Sequence, residues 1–456
     1  MVVTRGGFSQ VVANAMAGLG FPAEAPSVYE FPIEMFFADS DLTPLKENID
    51  KIVYGLTKWE PTIKEKGVFA APKVTVTGGD YEKALTTMGH LFLKNLWSEG
   101  LPITPATKEK VDWILTGTDL SRDAIVGEGK ILPRGGVASV EAIAVALAMA
   151  GGRPEYLPVL IAAVEAFTKP EFGHESMNAT TNSVAPAMIV NGPIAREIRL
   201  GSGYGCLGPH PIYPAGSAIG RASRLILLNL GGGIPGIGSM ALFGGFRVTN
   251  VVFAEDEAGL PEGWEPLAVD RGFPRGANVV TVTPVASQTN IAVANPIGTK
   301  EDNDATLWGV AKHMNPHSSN AHRKDVDTKK PDLAAGVVLL ARGLAQTLAE
   351  ASGYSKRDVK KVLWENTKIP WSEVVKVNLE QQAENAGISP GQDLPLTDNP
   401  DQLMIVVAGG EQSRHQLWMG VGHSNYTVVS AEIQLPANWD ELLAQAEEDL
   451  GSLPAD

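Results

Sequence analysis

The segment that decides the fold runs from residue 132 to residue 273 and contains four informative blocks. They read LPRGGVASVEAIAVALAMAGGRPEYLPVLIAAVEAF (132–167), MNATTNSVAPAMIVNGPIAREI (177–198), AIGRASRLILLNLGGGIPG (218–236) and FAEDEAGLPEGWEPLAVDRGF (253–273). Each block places Gly, Pro, Asn, Arg or Glu beside an apolar run, where a plain scaffold needs none of these residues. This density predicts a small-molecule site, although it does not identify the substrate.

The first block predicts two helices over residues 137–167, separated by Gly-Gly-Arg-Pro at 151–154. Glycine commonly ends a helix, and proline suits the first helical turn. Both helices are apolar on nearly every face, so we expect them to be buried. Together with a helix over 219–230 and strands over 249–254 and 279–285, they indicate an α/β fold. We expect mixed helices and short parallel-type sheets in two or three subdomains.

Three regions are predicted along the chain. Residues 1–70 read as a partial α/β half-domain, residues 71–330 as the central α/β domain with the Gly-, Asn- and Arg-rich site, and residues 331–456 as a C-terminal α/β segment. Finer predictions are a strand at 73–77 followed by a helix that Asp80 caps, an irregular surface excursion at 295–332, helices at 334–352, 355–365 and 371–386, and strands at 403–408 and 427–434.

Composition excludes several classes of protein. The 456 residues are 44% hydrophobic and 20% charged, as in an ordinary globular protein. The net charge of −15 argues against nucleic acid and anionic membranes as partners. The most apolar run, 137–150, is too short to span a bilayer, and the first residues lack a signal-peptide pattern. A single cysteine, Cys206, excludes an intramolecular disulfide and fits a cytoplasmic location.

Arg221 and Arg224 are three residues apart on the helix predicted over 219–230, so they share one face. Gly216 and Ser217 precede them at the helix N-terminus, where free amides attract anions. The two arginines could grip a carboxylate or phosphate of the substrate. The alternative is that they are solvated or paired with some of the many acidic residues of the chain.

Glu255 follows a predicted strand and adjoins glycine-rich loops, a placement typical of catalytic carboxylates in α/β enzymes. If it is half-buried, its pKa would rise and it could act as acid or base. The neighbouring Asp256 is expected to lie in a solvated turn. Glu155 and Asn191 are expected to contribute to substrate binding, with Asn191 orienting the substrate.

Cys206 lies in the glycine-rich loop SGYGCLGPHP, four residues before His210. A thiol needs a cationic neighbour or a helix N-terminus to be reactive at neutral pH, and His210 could supply the charge. Both residues are therefore candidate catalytic groups. The alternative is that Cys206 is a small buried apolar residue, the more common role of a lone cysteine.

Two further polar segments contain side chains of the types that bind ligands or metals. The strand ending IVVAGG (405–410) leads to Ser413 and His415, which are candidate ligand-binding residues. His313, His317 and His322 lie in a polar stretch, but a proline at 316 breaks the helix that would align the first two. We therefore expect no metal site.

A glycine pattern at residues 231–236 matches the dinucleotide fingerprint on paper, with Glu255 at a suitable distance. The fingerprint requires a helix that opens at its last glycine, and only a short Gly-containing span separates it from the next strand. A nicotinamide-dependent oxidoreductase is therefore disfavoured, and no tightly bound cofactor is expected.

The blocks AMAGGRPEYLPVLIAAVEA, TTNSVAPAMIVNGPIAREI, AIGRASRLILLNLGGG and FAEDE…WEPLAVDRGF resemble long relatives of the bacterial family named for a selenocysteine/Cys-Gly-Ser-Cys motif. The N-terminal TRGGFSQVVANAMAGLGFP resembles the second half of the domain that carries this motif. The resemblance implies an α/β fold and thiol- or selenol-based chemistry. The motif itself would precede Met1 and is absent, so we expect either that a second polypeptide supplies the missing half-domain or that the chemistry has moved.

These observations predict a cytoplasmic metabolic enzyme or enzyme subunit that acts on a small anionic organic substrate, by thiol-linked lyase or redox chemistry. The alternative is a non-catalytic partner subunit that completes the active site of a chain bearing the cysteine motif. In either case we expect a homo- or hetero-oligomer that binds neither nucleic acid nor membrane. A partner would cover the sheet edge that the half-domain at the N-terminus leaves exposed.

Overall fold

The computed structural model describes residues 2–5, 7–21, 28–31, 39–60, 73–244, 251–292, 297–314, 333, 335–411, 414–421 and 427–454. With 43% helix and 17% strand in mixed sheets, it confirms an α/β fold in several subdomains. The strands are β1 Val2–Arg5, β2 Val28–Phe31, β3 Ile125–Ile131, β4 Gly136–Ser139, β5 Ala185–Asn191, β6 Val252–Ala254, β7 Val279–Val285, β8 Ser287–Ala292, β9 Gly336–Leu340, β10 Leu403–Val407, β11 His415–Gly420 and β12 Val429–Glu432.

The α-helices connect these strands and cover their faces. They are α1 Ser9–Gly18, α2 Thr43–Glu47, α3 Ile49–Thr57, α4 Tyr81–Lys94, α5 Lys108–Leu115, α6 Val140–Met149, α7 Leu157–Thr168, α8 His174–Ala179, α9 Ile194–Glu197, α10 Ala215–Asn229, α11 Leu267–Asp270, α12 Lys300–His313, α13 Arg342–Glu350, α14 Lys356–Asn366, α15 Trp371–Lys376, α16 Glu380–Asn385 and α17 Trp439–Leu450. None of them is long and apolar enough to cross a membrane.

Two four-stranded sheets form the centre of the fold. The first sheet has the order β12-β7-β5-β6, in which β5 and β6 are parallel and β7 is antiparallel to both its neighbours. The second sheet has the order β10-β9-β11-β8, in which β9 and β10 are parallel and β11 is antiparallel. Both sheets therefore contain parallel and antiparallel pairs of strands. Two small sheets pair β1 with β2 and β3 with β4.

The second sheet lies between two hydrophobic cores. On β10, Met404 and Val406 belong to the large core of α6, α7, α10 and the first sheet, whereas Ile405 and Val407 belong to the smaller core with α12, α13 and α14. Alternate side chains of a strand point to opposite faces, so an all-apolar strand needs cover on both sides. The run LMIVV therefore fixes β10 as the layer that joins the two cores.

The nearly apolar helices α6 and α7 are buried, as predicted. Ser139 caps α6 by accepting a hydrogen bond from the Ala142 amide, and Pro158 lies in the first turn of α7. Helix α10 packs against both, with Gly216 so close to the Val252 carbonyl that a larger side chain would overlap it. Asp80 caps α4 as predicted. Of these helices, α7 contacts strands β7 and β12 of the first sheet, and α10 contacts strand β6.

Three predictions of secondary structure were wrong. Residues 73–77 form no strand. The predicted excursion at 295–332 contains the regular helix α12, and its residues from 315 lie almost entirely outside the described ranges. The predicted helix at 334–352 is strand β9 followed by helix α13. A short apolar run such as GVVLL carries no periodicity that separates a buried strand from a helix.

Gly336 begins β9 with a left-handed φ of +140°, and the indole of Trp418 lies directly over it. Gly336→Ala should destabilise the fold by about 2 kcal/mol or more, because a methyl group there overlaps the ring and strains the backbone. Gly89→Ala is the matched control, since its methyl group on helix α4 meets open space and should stabilise by up to about 1 kcal/mol. Urea denaturation of both variants measures the difference, and equal stabilities would contradict this packing.

Candidate functional site

The carboxyl ends of β5, β6, β9 and β10 meet at one place, which we call the junction. The Glu255 amide donates to the Val190 carbonyl at 3.1 Å, and the Asp256 amide donates to the Val407 carbonyl at 2.8 Å. The first of these bonds stays within the first sheet, and the second joins it to the second sheet. Carboxyl ends of parallel strands are the usual position of ligand sites in α/β proteins.

Glu255 is the buried centre of the junction. Its Oε2 accepts a hydrogen bond from Asn191 Nδ2 at 2.7 Å and another from the Leu267 amide at 2.6 Å. Asn191 Nδ2 also donates to Glu257 Oε1 at 2.9 Å, which in turn accepts from the Gly192 amide. Strand ends β5 and β6 thus place both predicted residues, Asn191 and Glu255, in direct contact.

Lys356 supplies the opposite charge. Its Nζ lies 3.6 Å from Glu255 Oε1 and 3.1 Å from Asp270 Oδ2, and it donates to the Glu265 carbonyl at 2.6 Å. The Lys356 side chain is 7% exposed and that of Asp270 is 28% exposed. A chain of charged groups therefore leads from the surface at Asp270 to the buried Glu255.

The environment of Glu255 favours its neutral form. Burial raises the pKa of the Glu255 carboxyl, and the Lys356 ammonium only partly opposes this effect. Oε1 accepts no hydrogen bond from any described residue. A buried carboxyl with one free oxygen and a raised pKa is suited to accept and return a proton.

Asp256 is not in a solvated turn, which corrects that prediction. Arg342, the first residue of α13, binds it through two hydrogen bonds of 2.9 Å, from Nε and from Nη2. Asp256 also accepts from the Gly259 amide at 3.1 Å and is 6% exposed. A bidentate pair of this kind fixes geometry, so Asp256 and Arg342 hold the two sheets in register at the junction.

The loop that carries Cys206 lies beside the junction, because the Gly409 amide donates to the Ser202 carbonyl at 2.8 Å. Burial raises the pKa of the Cys206 thiol to about 11. His210 Nδ1 accepts hydrogen bonds from the Ile212 and Tyr213 amides. No hydrogen bond of the described residues joins His210 to Cys206, so the structure does not support the predicted thiol–imidazole pair.

The two arginines of α10 have separate environments. Arg221 Nε forms a hydrogen-bonded ion pair with Glu99, whose side chain is 8% exposed. Glu99 therefore neutralises the charge of Arg221, which agrees with the alternative that the arginines pair with acidic residues of the chain. Arg224 donates to the Gly233 carbonyl at 2.8 Å and lines a crevice under α10.

Of the remaining predicted residues, Glu155 and His415 lie in the described ranges, and no hydrogen bond or ion pair there joins either of them to Glu255 or Lys356. Glu155 is buried in an ion pair with Arg153, which also binds Asp449 of α17 at 2.9 Å. That arrangement attaches the last helix to the fold, and it gives no support for substrate binding by Glu155. His415 is an exposed residue at the start of β11 whose Nδ1 lies 3.4 Å from Asn290 Nδ2. Ser413, His317 and His322 lie outside the described residues.

Residues 231–236 form turns rather than the strand-to-helix passage of a dinucleotide site. The Gly233 amide donates back to the Leu227 carbonyl of α10 at 3.0 Å. Within the described ranges no cluster of His, Cys, Asp and Glu could hold a metal ion. Comparison with protein families, with characterised proteins and with solved structures gives no match.

Sequence reasoning missed Lys356 and Asp270 as members of the junction. Ser355 and Asp358 form a capping box around Lys356, a pattern that marks the start of a solvent-facing helix. Nothing in this local pattern shows that the first residue of α14 is buried. Only the packing of α14 against β10 brings its ammonium to Glu255.

Cys206 should react slowly with iodoacetamide in the native protein at pH 7. With a pKa of about 11, only about one thiol in ten thousand is ionised at that pH. His210→Ala should leave the rate unchanged. Mass spectrometry of the labelled chain measures the rate, with urea-unfolded protein as the reactive control. Native labelling as fast as that of the unfolded chain would restore Cys206 as a nucleophile.

Proposed function

We propose that the chain is an enzyme or enzyme subunit that performs proton transfer on a small anionic organic molecule at the junction. The observation that carries this proposal is Glu255, a wholly buried carboxyl whose free Oε1 faces the Lys356 ammonium at 3.6 Å. Charged groups are rarely buried unless paired, and functional sites are where strongly perturbed carboxyls concentrate. We assign the general acid–base role to Glu255.

Local charge favours an anionic substrate. Lys356 pairs with Asp270, and the charges of Asp270, Lys356, Asp401 and Arg271 all act on Lys360, although the chain as a whole carries a net charge of −15. Burial lowers the pKa of Lys360, which shows that its ammonium is poorly hydrated. A carboxylate group of a substrate would offset this positive charge.

The neighbouring residues would serve the proton transfer in different ways. Asn191 and the Leu267 amide fix the orientation of Glu255 by holding Oε2. Lys356 would stabilise the ionised carboxylate. A proton held on Glu255 would exchange with solvent by passing to Lys356 as Lys356 gives one of its own protons to Asp270 at the surface. In this scheme Oε1 takes a proton from the substrate and returns it, so no net charge accumulates.

A second candidate function is the non-catalytic partner subunit. The raised pKa of the Cys206 thiol favours it, because thiol chemistry of the kind that the family resemblance implies would then need cysteines on another chain. The resemblance to the selenocysteine/Cys-Gly-Ser-Cys family and the cytoplasmic location are part of the same proposal. The turns at 231–236 give no support to a nicotinamide-dependent reaction.

Hydrogen exchange tests proton transfer without knowledge of the substrate. The purified chain is incubated in D₂O with a mixture of 2-oxo acids, hydroxy acids and dicarboxylates, and ¹H NMR follows loss of C–H signals. We expect at least one acid to exchange, and Glu255→Gln to slow that exchange by about 100-fold or more, since general bases contribute about this much.

Glu155→Gln is the matched control, because it makes the same change in another buried carboxyl whose pKa burial raises. It should exchange the same acid at the wild-type rate. Exchange that appears only when a second polypeptide from the native host is added would favour the partner-subunit function. The absence of exchange in both preparations, or full exchange by Glu255→Gln, would contradict acid–base catalysis at the junction.

A further inference from the structure

A crevice under α10 lies apart from the junction. Its walls come from α8, β5, the middle of α10, the turn at 239–241 and the start of β6. Val252 at the start of β6 lines it, whereas Glu255 follows the other end of the same strand, about 10 Å away at 3.3 Å per residue. The crevice is therefore a separate feature, and it has its own unpartnered polar groups.

Arg224 brings an uncompensated positive charge to this crevice. Its Nη2 donates to the Gly233 carbonyl, and among the described residues no carboxylate lies within salt-bridge distance of it. The nearest acid, Glu99, is bound to Arg221. Loss of hydration lowers the pKa of Arg224, as expected for a guanidinium with few polar neighbours. Such a charge is costly unless an anion accompanies it.

Ser223 provides a second, independent sign of a ligand. Its residue is 2% exposed, it lines the crevice, and its Oγ has no hydrogen-bond partner among the described residues. A buried hydroxyl without a partner is unusual in a folded protein. Arg224 and Ser223 both line the crevice, so one oxyanion bound in it could accept from both.

The other walls of the crevice are largely apolar. They include Met177, Val184, Met188, Leu227, Val251 and Val252. The free volume is about 40 Å³, which is room for roughly three water-sized atoms and matches a carboxylate group. At the turn that lines one side, Leu242 is 74% exposed and Phe243 is 95% exposed, next to the lining residue Ala241.

We propose that this crevice binds the carboxylate of a short-chain aliphatic monocarboxylate on Arg224 and Ser223 Oγ, with the hydrocarbon chain leading out of the crevice past Ala241 towards Leu242 and Phe243. The single guanidinium of the described walls matches the charge of a monoanion, whereas a phosphate dianion would leave its second charge without a cation. The site is distinct from the junction, so this proposal stands whether or not Glu255 is catalytic.

Isothermal titration calorimetry with sodium butyrate tests the site. We expect a dissociation constant of about 1 mM, in keeping with the small number of ligand atoms. Acetate should bind roughly tenfold more weakly, because each buried methylene contributes about a fourfold gain. Arg224→Met keeps the side-chain bulk and removes the charge, and it should weaken butyrate at least tenfold. Ser223→Ala should weaken it about two- to fivefold.

Two control variants test whether butyrate binds at this crevice and not elsewhere on the molecule. Arg357→Met makes the same change on the exposed face of α14, where Arg357 is 81% exposed, and should bind butyrate normally. Glu255→Gln should also bind normally, because it alters only the junction. Circular dichroism and thermal unfolding confirm that Arg224→Met is folded, and Arg224→Lys should recover part of the affinity.

Several results would overturn the proposal. Butyrate that fails to bind the wild-type chain, or that binds a folded Arg224→Met with unchanged affinity, would exclude the carboxylate site. Inorganic phosphate that binds more tightly than butyrate would show a simple anion site and contradict the role of the apolar wall. Equal affinities for acetate and butyrate would likewise contradict a role of the apolar wall in binding.

Discussion

The hydrogen bond from the Asp256 amide to the Val407 carbonyl joins the two sheets at their carboxyl ends. It is a single 2.8 Å contact, but the geometry of the junction depends on it, because β6 and β10 come from regions far apart in the chain. The bidentate pair of Asp256 and Arg342 holds the same place with side chains. These contacts fix the ends of β6 and β10. Glu255, which directly follows β6, is thereby positioned with its carboxyl group beside the Lys356 ammonium.

The cost of burying charge gives the junction its chemical character. Removing an ion pair from water is expensive, and an apolar replacement of the same shape often stabilises a protein as well or better. The fold nevertheless keeps Glu255 and Lys356 in its interior, although Oε1 of the carboxyl accepts no hydrogen bond from the described residues. Glu155 and Arg153 form another buried pair, but there Arg153 also binds Asp449, so that pair attaches α17. The contrast supports a chemical role for the first pair and a structural role for the second.

Local sequence patterns predicted those parts of the fold that depend on local interactions. The helix expected at 219–230 is α10, which begins at Ala215, and the carboxylate expected after a strand is Glu255 at the end of β6. Asn191 was expected near it and donates to it. Strand β9 was mistaken for a helix, because five apolar residues fit either structure and only pairing with β10 and β11 decides between them.

Local sequence patterns did not reveal the environments of Lys356, Arg221 and His210. Lys356 looks like a solvated residue of a capped helix, and Arg221 looks like a free anion-binding group until Glu99 is brought to it. The spacing of Cys206 and His210 suggested a reactive pair, but the loop turns the His210 ring to the Ile212 and Tyr213 amides. For Lys356 and Arg221 a tertiary contact decides whether the charge of the side chain is available, and for His210 the turn of its own loop engages the ring.

The titration of Glu255 tests the central claim most directly. Infrared difference spectroscopy between high and low pH follows carboxyl protonation, and Glu255→Gln identifies the contribution of this group. Because burial disfavours the carboxylate, the account predicts a protonated carboxyl that persists above the range of ordinary glutamates and is lost in the variant. A Glu255 that ionises together with the exposed carboxyls of the chain would contradict the acid–base role of the junction.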